Sequence, residues 1–304
     1  MPIKIANNLP AAKILDAENI LVIPEERAVH QDIRPLRIAI VNLMPTKIET
    51  ETQLLRLLGN SPLQVDIDLI QMASHVSKTI APEHLLQFYK THEQLRDNRY
   101  DGLIITGAPV EKLEFDDVDY WEELQGIMDW SRGAVWSTLH ICWGAQAGLY
   151  HHYGIQKRLL SGGKLSGIYP HHPSDVHHPL LHGFDDVFFI PHSRYTEICG
   201  DQLAAEPRLY TLVRSPQAGE VVMATADSRQ VFITGHCEYD LLTLDGEYRR
   251  DLAKGISPEI PANYYPGNDP ARQPDMLWRS HANLFFANWL HVVYQQTPYD
   301  LKEL

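Results

Sequence analysis

The stretch Ala134-Val135-Trp136-Ser137-Thr138-Leu139-His140-Ile141-Cys142-Trp143-Gly144-Ala145-Gln146-Ala147-Gly148 decides how the chain is read. Its first half is an apolar run suited to a strand buried on both faces, and its second half begins a helix of small residues. Cys142 falls on the join. A side chain at such a turn is exposed at the sheet edge, and the helix start offers backbone N–H donors and positive potential. Both favour a thiolate and can hold an oxyanion, with the backbone near Trp143 as the expected donor. A free cysteine is also commonly just a small buried hydrophobe, so position alone leaves both readings open.

The same alternation extends upstream. Ile38 to Met44 reads as a buried strand, followed by a helix carrying Leu54, Leu55, Leu57 and Leu58 and ending at Gly59. Val65, Ile67 and Leu69 alternate with Asp66 and Asp68 as in a half-buried strand, and Pro82 opens a helix with Leu85, Phe88 and Leu95 on one side. Leu103 to Thr106 forms a third strand, and Tyr120, Leu124, Ile127 and Met128 mark the next helix. Such alternation implies right-handed crossovers and an α/β fold, a parallel sheet with helices on both faces. Beyond residue 155 the pattern loosens. Val187–Ile190, Tyr210–Val213, Val221–Ala224 and Val231–Thr234 read as strands, and 240–254 and 281–295 as helices. Residues 1–36, with four prolines and no sustained period, read as an N-terminal arm, and 37–304 as one domain.

Composition narrows the function. The net charge of −13, from 26 basic and 39 acidic side chains, repels phosphate backbones and argues against nucleic-acid or anionic-membrane partners. No run reaches the roughly 20 apolar residues of a membrane span, and the N-terminus lacks the apolar core of a secretory signal. A cytoplasmic protein is expected. Three widely spaced cysteines give neither a disulfide framework nor a zinc ribbon, which leaves room for a nucleophile.

A second signal follows the strand at 231–234: Thr234-Gly235-His236-Cys237-Glu238-Tyr239. Residues two apart on extended chain point the same way, so Glu238 can hold one nitrogen of His236 while the other faces a thiol. His-x-Glu alone fits a surface turn equally well; paired with Cys142 it becomes a candidate triad. Cys237 is expected to point away, and Cys199 to lie in a loop without a role.

With these segments in view, the chain resembles the homoserine O-acyltransferase family of methionine biosynthesis, whose fold is similar to class I glutamine amidotransferases and flavodoxin-like sheets. The resemblance runs from Met1-Pro2-Ile3 through Asn42-Leu43-Met44-Pro45-Thr46-Lys47, Thr106-Gly107-Ala108-Pro109, the Cys142 segment, Pro191-His192-Ser193-Arg194-Tyr195 and Thr234 to Asp240. It ends with Asn263-Tyr264-Tyr265-Pro266 and Trp278-Arg279-Ser280-His281. It implies Cys142 as acyl-thioester nucleophile, His236 as base and Glu238 as its partner. It also implies Lys164, Ser193 and Arg250 at the substrate and Lys47 by the acyl group. On bare sequence these three cations are ordinary solvated side chains and Ser193 a turn hydroxyl. Arg250 has the fork that suits the carboxylate of an amino acid.

The resembling family associates the position of Glu111 with donor choice, glutamate with acetyl and glycine with succinyl. A succinyl carboxylate held ~4 Å from a second one costs about 4 kcal/mol at an effective dielectric near 20, roughly a thousandfold discrimination. Glu111 turned to solvent would decide nothing. The expected substrates are acetyl-CoA and L-homoserine, with no cofactor and no metal, and the expected assembly is a homodimer. Succinyl-CoA as donor and L-serine as acceptor remain alternatives, since one methylene discriminates weakly.

Other features carry less. Ser161-Gly162-Gly163-Lys164 lacks the spacing of a phosphate-binding loop and reads as a flexible connection. His171, His172, His177 and His178 lack metal-ligand spacing and read as a polar surface loop. Asp116, Asp117, Asp119, Glu122 and Glu123 read as a solvated face at a helix start. A glutamine amidotransferase would use the same triad, but such enzymes typically have glycine where this chain has His140. A redox sensor with an oxidisable Cys142 would need neither His236 nor Glu238.

Overall fold

The structure is a computed structural model and describes residues 3–5, 9–17, 22–24, 34–75 and 79–304. The chain opens with β1 (Ile3–Ile5), α1 (Pro10–Ala17) and β2 (Val22–Pro24), followed by β3 (Leu36–Val41), α2 (Lys47–Gly59) and β4 (Val65–Ile70). Then come α3 (Pro82–Phe88), β5 (Tyr89–Lys90), α4 (His92–Leu95) and β6 (Tyr100–Ile105). The stretch around Cys142 forms the end of α5 (Trp121–Ala134), then β7 (Val135–Ile141) and α6 (Trp143–Tyr153). The second half adds β8 (Lys157–Leu159), β9 (Leu165–Pro173), β10 (Phe188–Arg194), β11 (Thr196–Ile198) and α7 (Gly200–Ala204). It continues with β12 (Leu209–Ser215), β13 (Gly219–Thr225), β14 (Gln230–Ile233), α8 (Thr243–Ala253) and α9 (Arg279–Gln296).

At the centre, β4, β3, β6, β7 and β14 lie side by side in parallel. Numbered along the chain this is the order 2-1-3-4-5, a doubly wound sheet whose ligands bind beyond the carboxyl ends of the strands. Alternation along the strands divides the core into two layers. Ile38, Ile40 and Ile104 pack with Leu54, Leu55 and Leu58 of α2 and with Phe285, Phe286 and Trp289 of α9. Ala39, Val41, Leu103 and Ile105 face the other way, onto Leu124, Ile127 and Met128 of α5 and Ala147 of α6. Each buried Leu or Ile side chain stabilises by about 1.5–3 kcal/mol, so a slip by one residue, which would reverse both faces, is strongly disfavoured. Beyond β14 the sheet turns antiparallel through β13, β12, β9 and β10. Among the described residues no helix is long and apolar enough to cross a membrane.

Three expectations need correction. The segment read as an irregular arm carries regular structure where it is described. β1 and β2 pair in parallel beside β4, and Leu9, Ala11 and Leu15 join the core beneath α2. The rest of that segment lies outside the described residues. The single helix read from Pro82 past Leu95 is two, split where Tyr89-Lys90 pairs with Leu69-Ile70. Tyr89 is buried there, its hydroxyl between Asn42 and Glu51 at 2.9 and 2.7 Å, which draws the chain out of helix. His171 and His172 lie on β9, not in a surface loop. The His171 ring stacks on His192, with 2.9 Å between Nε2 atoms, and both are fully buried. Gly167 and the prolines at 170 and 173 hide this strand from a propensity reading.

Candidate active site

Cys142 sits at φ 51°, ψ −113°, a strained conformation for a residue with a side chain. Its N–H donates to Ile233 O at 2.7 Å, continuing the parallel ladder in which Ile141 pairs with Ile233. That register brings the chain after β14 to the same edge as the chain after β7. The turn is tight because α6 begins directly over the end of β6: a Cβ on Gly144 would stand 2.6 Å from Thr106 O and 2.7 Å from Ile105 O. Gly107 keeps the other side open, since a Cβ there would come within 3.3 Å of Cys142 Cβ and 3.6 Å of His236 Cε1. The Trp143 indole is buried, so this residue can reach the site only through its backbone N–H at the helix start.

His236 stands three residues past β14, its N–H donating to Pro191 O at 2.8 Å. A turn rather than a strand then returns Glu238 to it, with Nδ1 2.6 Å from Glu238 Oε1. Burial pushes the imidazole toward neutrality, but the Cys142 sulfur and the Glu238 carboxylate outweigh it and hold its pKa well above the ordinary value. A charged imidazole beside the sulfur is the partner that a thiolate requires. Cys237 is buried, burial raises its thiol pKa well above the usual range, and it lines a separate cavity behind the triad.

A cavity of about 600 Å³ opens over these groups. Cys142, His236, Glu111, Lys164, Ser193 and Arg250 all line it. Glu111 Oε2 accepts the Tyr195 N–H at 2.9 Å, and burial raises the Glu111 pKa against the opposing pull of that hydrogen bond and of nearby cations. Lys164 lies on the turn before β9, and its Nζ reaches Glu247 Oε2 at 2.9 Å. Arg250 is half exposed and paired with Asp251 at 3.0 Å, leaving other donors of its fork unused by that pair.

Lys47 is the exception. Met44, Pro45 and Thr46 line the cavity, but Lys47 turns back under the loop, donating to Asn42 O at 2.6 Å. Burial lowers its pKa to about 8, with Glu51 pulling the other way. That contact is made inside the fold, and no local pattern reveals it.

Glu247 and Tyr239 also line the cavity, without a signal in the sequence. Glu247 accepts from Lys164 and Ser193 on one oxygen and from the Tyr239 hydroxyl, at 2.9 Å, on the other. Burial alone would raise its pKa, yet Lys164 and Ser193 hold it below the ordinary value, so it is ionised. As one acidic residue on an exposed-looking helix it gave no signal. Arg194 gave none either: it is 2 % exposed and donates to Thr196 O and Ala218 O, both at 2.6 Å, behind Glu111.

His140 is buried away from the cavity, stacked on Phe232 at 4.7 Å and 3.0 Å from Gln230 Oε1; burial lowers its pKa to about 4. Among the described residues, Asp129, His151 and His152 bring donor atoms within 4.8 Å of one another, as a shared cation would need. His151 and His152 sit at the far end of α6 and Asp129 on α5, and His151 already bonds Asp129 at 2.7 Å.

Comparison with known proteins shows the fold and the family. A glutamine amidotransferase from Thermotoga maritima superposes with a TM-score of 0.53 at 12% identity, covering 86% of this chain and 99% of its own. A glutamine amidotransferase from Methylobacillus flagellatus gives 0.51 at 12%, covering 86% and 96%. These likenesses establish a glutamine amidotransferase-like fold. In sequence, the chain is 57% identical to a homoserine O-acetyltransferase of Acetivibrio thermocellus over the full length of both. It is 58% identical to one of Brevibacillus brevis, over 99% of this chain and 98% of that one. Residues 2–299 match the family model described as homoserine O-succinyltransferase, and the chain belongs to that family.

Proposed function

We propose that this chain is a homoserine O-acetyltransferase that carries the acetyl group on Cys142. One observation carries the reading: a thiol and an imidazole, the imidazole backed by the Glu238 carboxylate, face a cavity that also holds Glu247, Lys164 and Arg250. An ionised carboxylate beside two cations complements a zwitterionic amino acid, with Glu247 toward the ammonium and Arg250 toward the carboxylate. The Cys142 thiolate attacks the thioester carbon of acetyl-CoA, and the oxyanion is held by backbone N–H groups at the start of α6. The carbon–sulfur bond to CoA breaks, and the departing thiolate takes the proton from His236. Neutral His236 then accepts the proton of the homoserine hydroxyl as its oxygen attacks the acetyl-cysteine. Cys142 leaves as thiolate, O-acetylhomoserine departs, and the imidazolium–thiolate pair is restored. One thioester is exchanged for another, so no cofactor is called for.

Acetyl is preferred over succinyl because Glu111 lies on the cavity wall with Cys142, its carboxylate oriented by the Tyr195 N–H. Relatives more than half identical to this chain are homoserine O-acetyltransferases, which supports the same choice. A reducing cytoplasm suits the three free cysteines.

The test is incubation with acetyl-CoA or succinyl-CoA, each with homoserine or serine, and mass spectrometry of products and of Cys142 peptides. O-acetylhomoserine and a Cys142 thioester are expected. Faster turnover of succinyl-CoA would overturn the donor, and glutamine hydrolysis without acyl transfer would overturn the reaction class.

A further inference from the structure

The ring of Tyr239 lies on the ring of His236, centroids 4.1 Å apart and planes 18° from parallel. Its hydroxyl donates to Glu247 Oε1 at 2.9 Å, and Lys164 and Ser193 occupy Oε2. Tyr239 therefore touches the imidazole with its face and the substrate-side carboxylate with its edge. It is held in that pose from behind, because the Trp278 indole N–H donates to the Tyr239 carbonyl at 2.9 Å. Both Tyr239 and Trp278 are buried, so the ring has little freedom to swing away.

We infer that Tyr239 is a positioning residue that serves both half-reactions through separate parts of its side chain. The ring face fixes the plane of His236, so that one nitrogen stays on Glu238 and the other on the sulfur, and its π-cloud favours the charged imidazole. The hydroxyl fixes the Glu247 carboxylate, leaving its remaining lone pairs directed at the ammonium of the amino-acid acceptor. Burial, then the neighbouring Glu247 carboxylate and Cys142 sulfur, raise the phenol pKa well above its ordinary value, so the group remains a donor. The acceptor half of this inference rests on the acyltransferase reading; the ring half does not.

The experiment compares Tyr239→Phe with Tyr239→Leu in three measurements. These are CoA release from acetyl-CoA without acceptor, the KM for homoserine, and alkylation of Cys142 by iodoacetamide. The Phe variant keeps the stacked ring and loses the hydroxyl. Its KM for homoserine is expected to rise roughly ten- to a hundredfold, the range for a lost hydrogen bond to a charged group, with CoA release within about twofold of wild type. The Leu variant loses the stack, so CoA release and Cys142 alkylation should both slow by about tenfold, the order expected of a stacked aromatic contact. If the Leu chain does not fold, Tyr239→Met provides the unstacked side chain. Equal effects of Phe and Leu on CoA release, or an unchanged homoserine KM in the Phe variant, would overturn the inference. Wild-type protein that never releases CoA would instead overturn the acyltransferase reading, and alkylation would still decide the role of the ring.

Discussion

Glu238→Gln tests how far the carboxylate sets the charge of the imidazole. The substitution keeps shape and one acceptor oxygen but removes the negative charge 2.6 Å from Nδ1. Both residues are buried, 3 % and 8 % exposed, so solvent cannot replace the lost charge. A hydrogen bond to a charged partner contributes about 1.5–3 kcal/mol, and one pKa unit corresponds to about 1.4 kcal/mol. The pKa of His236 should fall by about one to two units, because burial, which already opposes the charged form, then meets only the sulfur. CoA release needs the imidazolium to protonate the departing thiolate. Its alkaline limb should shift to lower pH by the same amount, and the rate at a fixed pH on that limb should drop roughly ten- to a hundredfold. The effect on stability has a definite sign. An imidazole whose folded pKa exceeds its unfolded value adds stability that is complete below the unfolded pKa and is lost as pH rises through the folded one. The variant's deficit in urea unfolding should therefore be largest at acid to neutral pH and close at alkaline pH. An unmoved alkaline limb would refute the reasoning, as would a deficit that grows with pH.

Other consequences are tested more simply. Glu111→Gln, measured by the ratio of acetyl-CoA to succinyl-CoA turnover, should narrow donor discrimination by up to about a thousandfold, the electrostatic part at ~4 Å separation. Because the pKa of Glu111 is raised, wild-type discrimination should weaken as pH falls and the carboxylate gains its proton. Glu247→Gln should raise the KM for homoserine by roughly ten- to a hundredfold, and a smaller change than twofold would remove it from acceptor binding. Gly144→Ala places a Cβ 2.6 Å from a backbone carbonyl and should cost about 2 kcal/mol or more in urea unfolding. Gly107→Ala meets Cys142 and His236 first, at 3.3 and 3.6 Å, and comes no nearer than 3.8 Å to the Ile141 carbonyl, so its penalty should appear in turnover before stability.

The parallel centre of the fold was legible because its signals are local. Apolar runs at 38–44, 103–106 and 134–141 each mark a strand by themselves, and the strand-to-helix join at Cys142 needs only its own neighbours. His236 and Glu238 were legible for the same reason, being two residues apart. β9 was not, because glycine, prolines and histidines obscure a strand that exists only through its pairing with β10 and β12. Nor was the split at Tyr89-Lys90, which depends on Asn42 and Glu51 receiving a phenol from elsewhere in the chain.

The amino-acid order by itself thus determined the elbow, the His-Glu pair and the sheet that carries them. Hydrophobic period and turn chemistry act over a few residues. Tertiary structure alone decided that Glu247 and Tyr239 face the cavity, that Arg194 is buried behind Glu111, and that Lys47 turns away. Each of those outcomes depends on which distant carbonyls, carboxylates and rings the folded chain brings within hydrogen-bonding reach, a spacing set by packing and invisible to any window along the sequence.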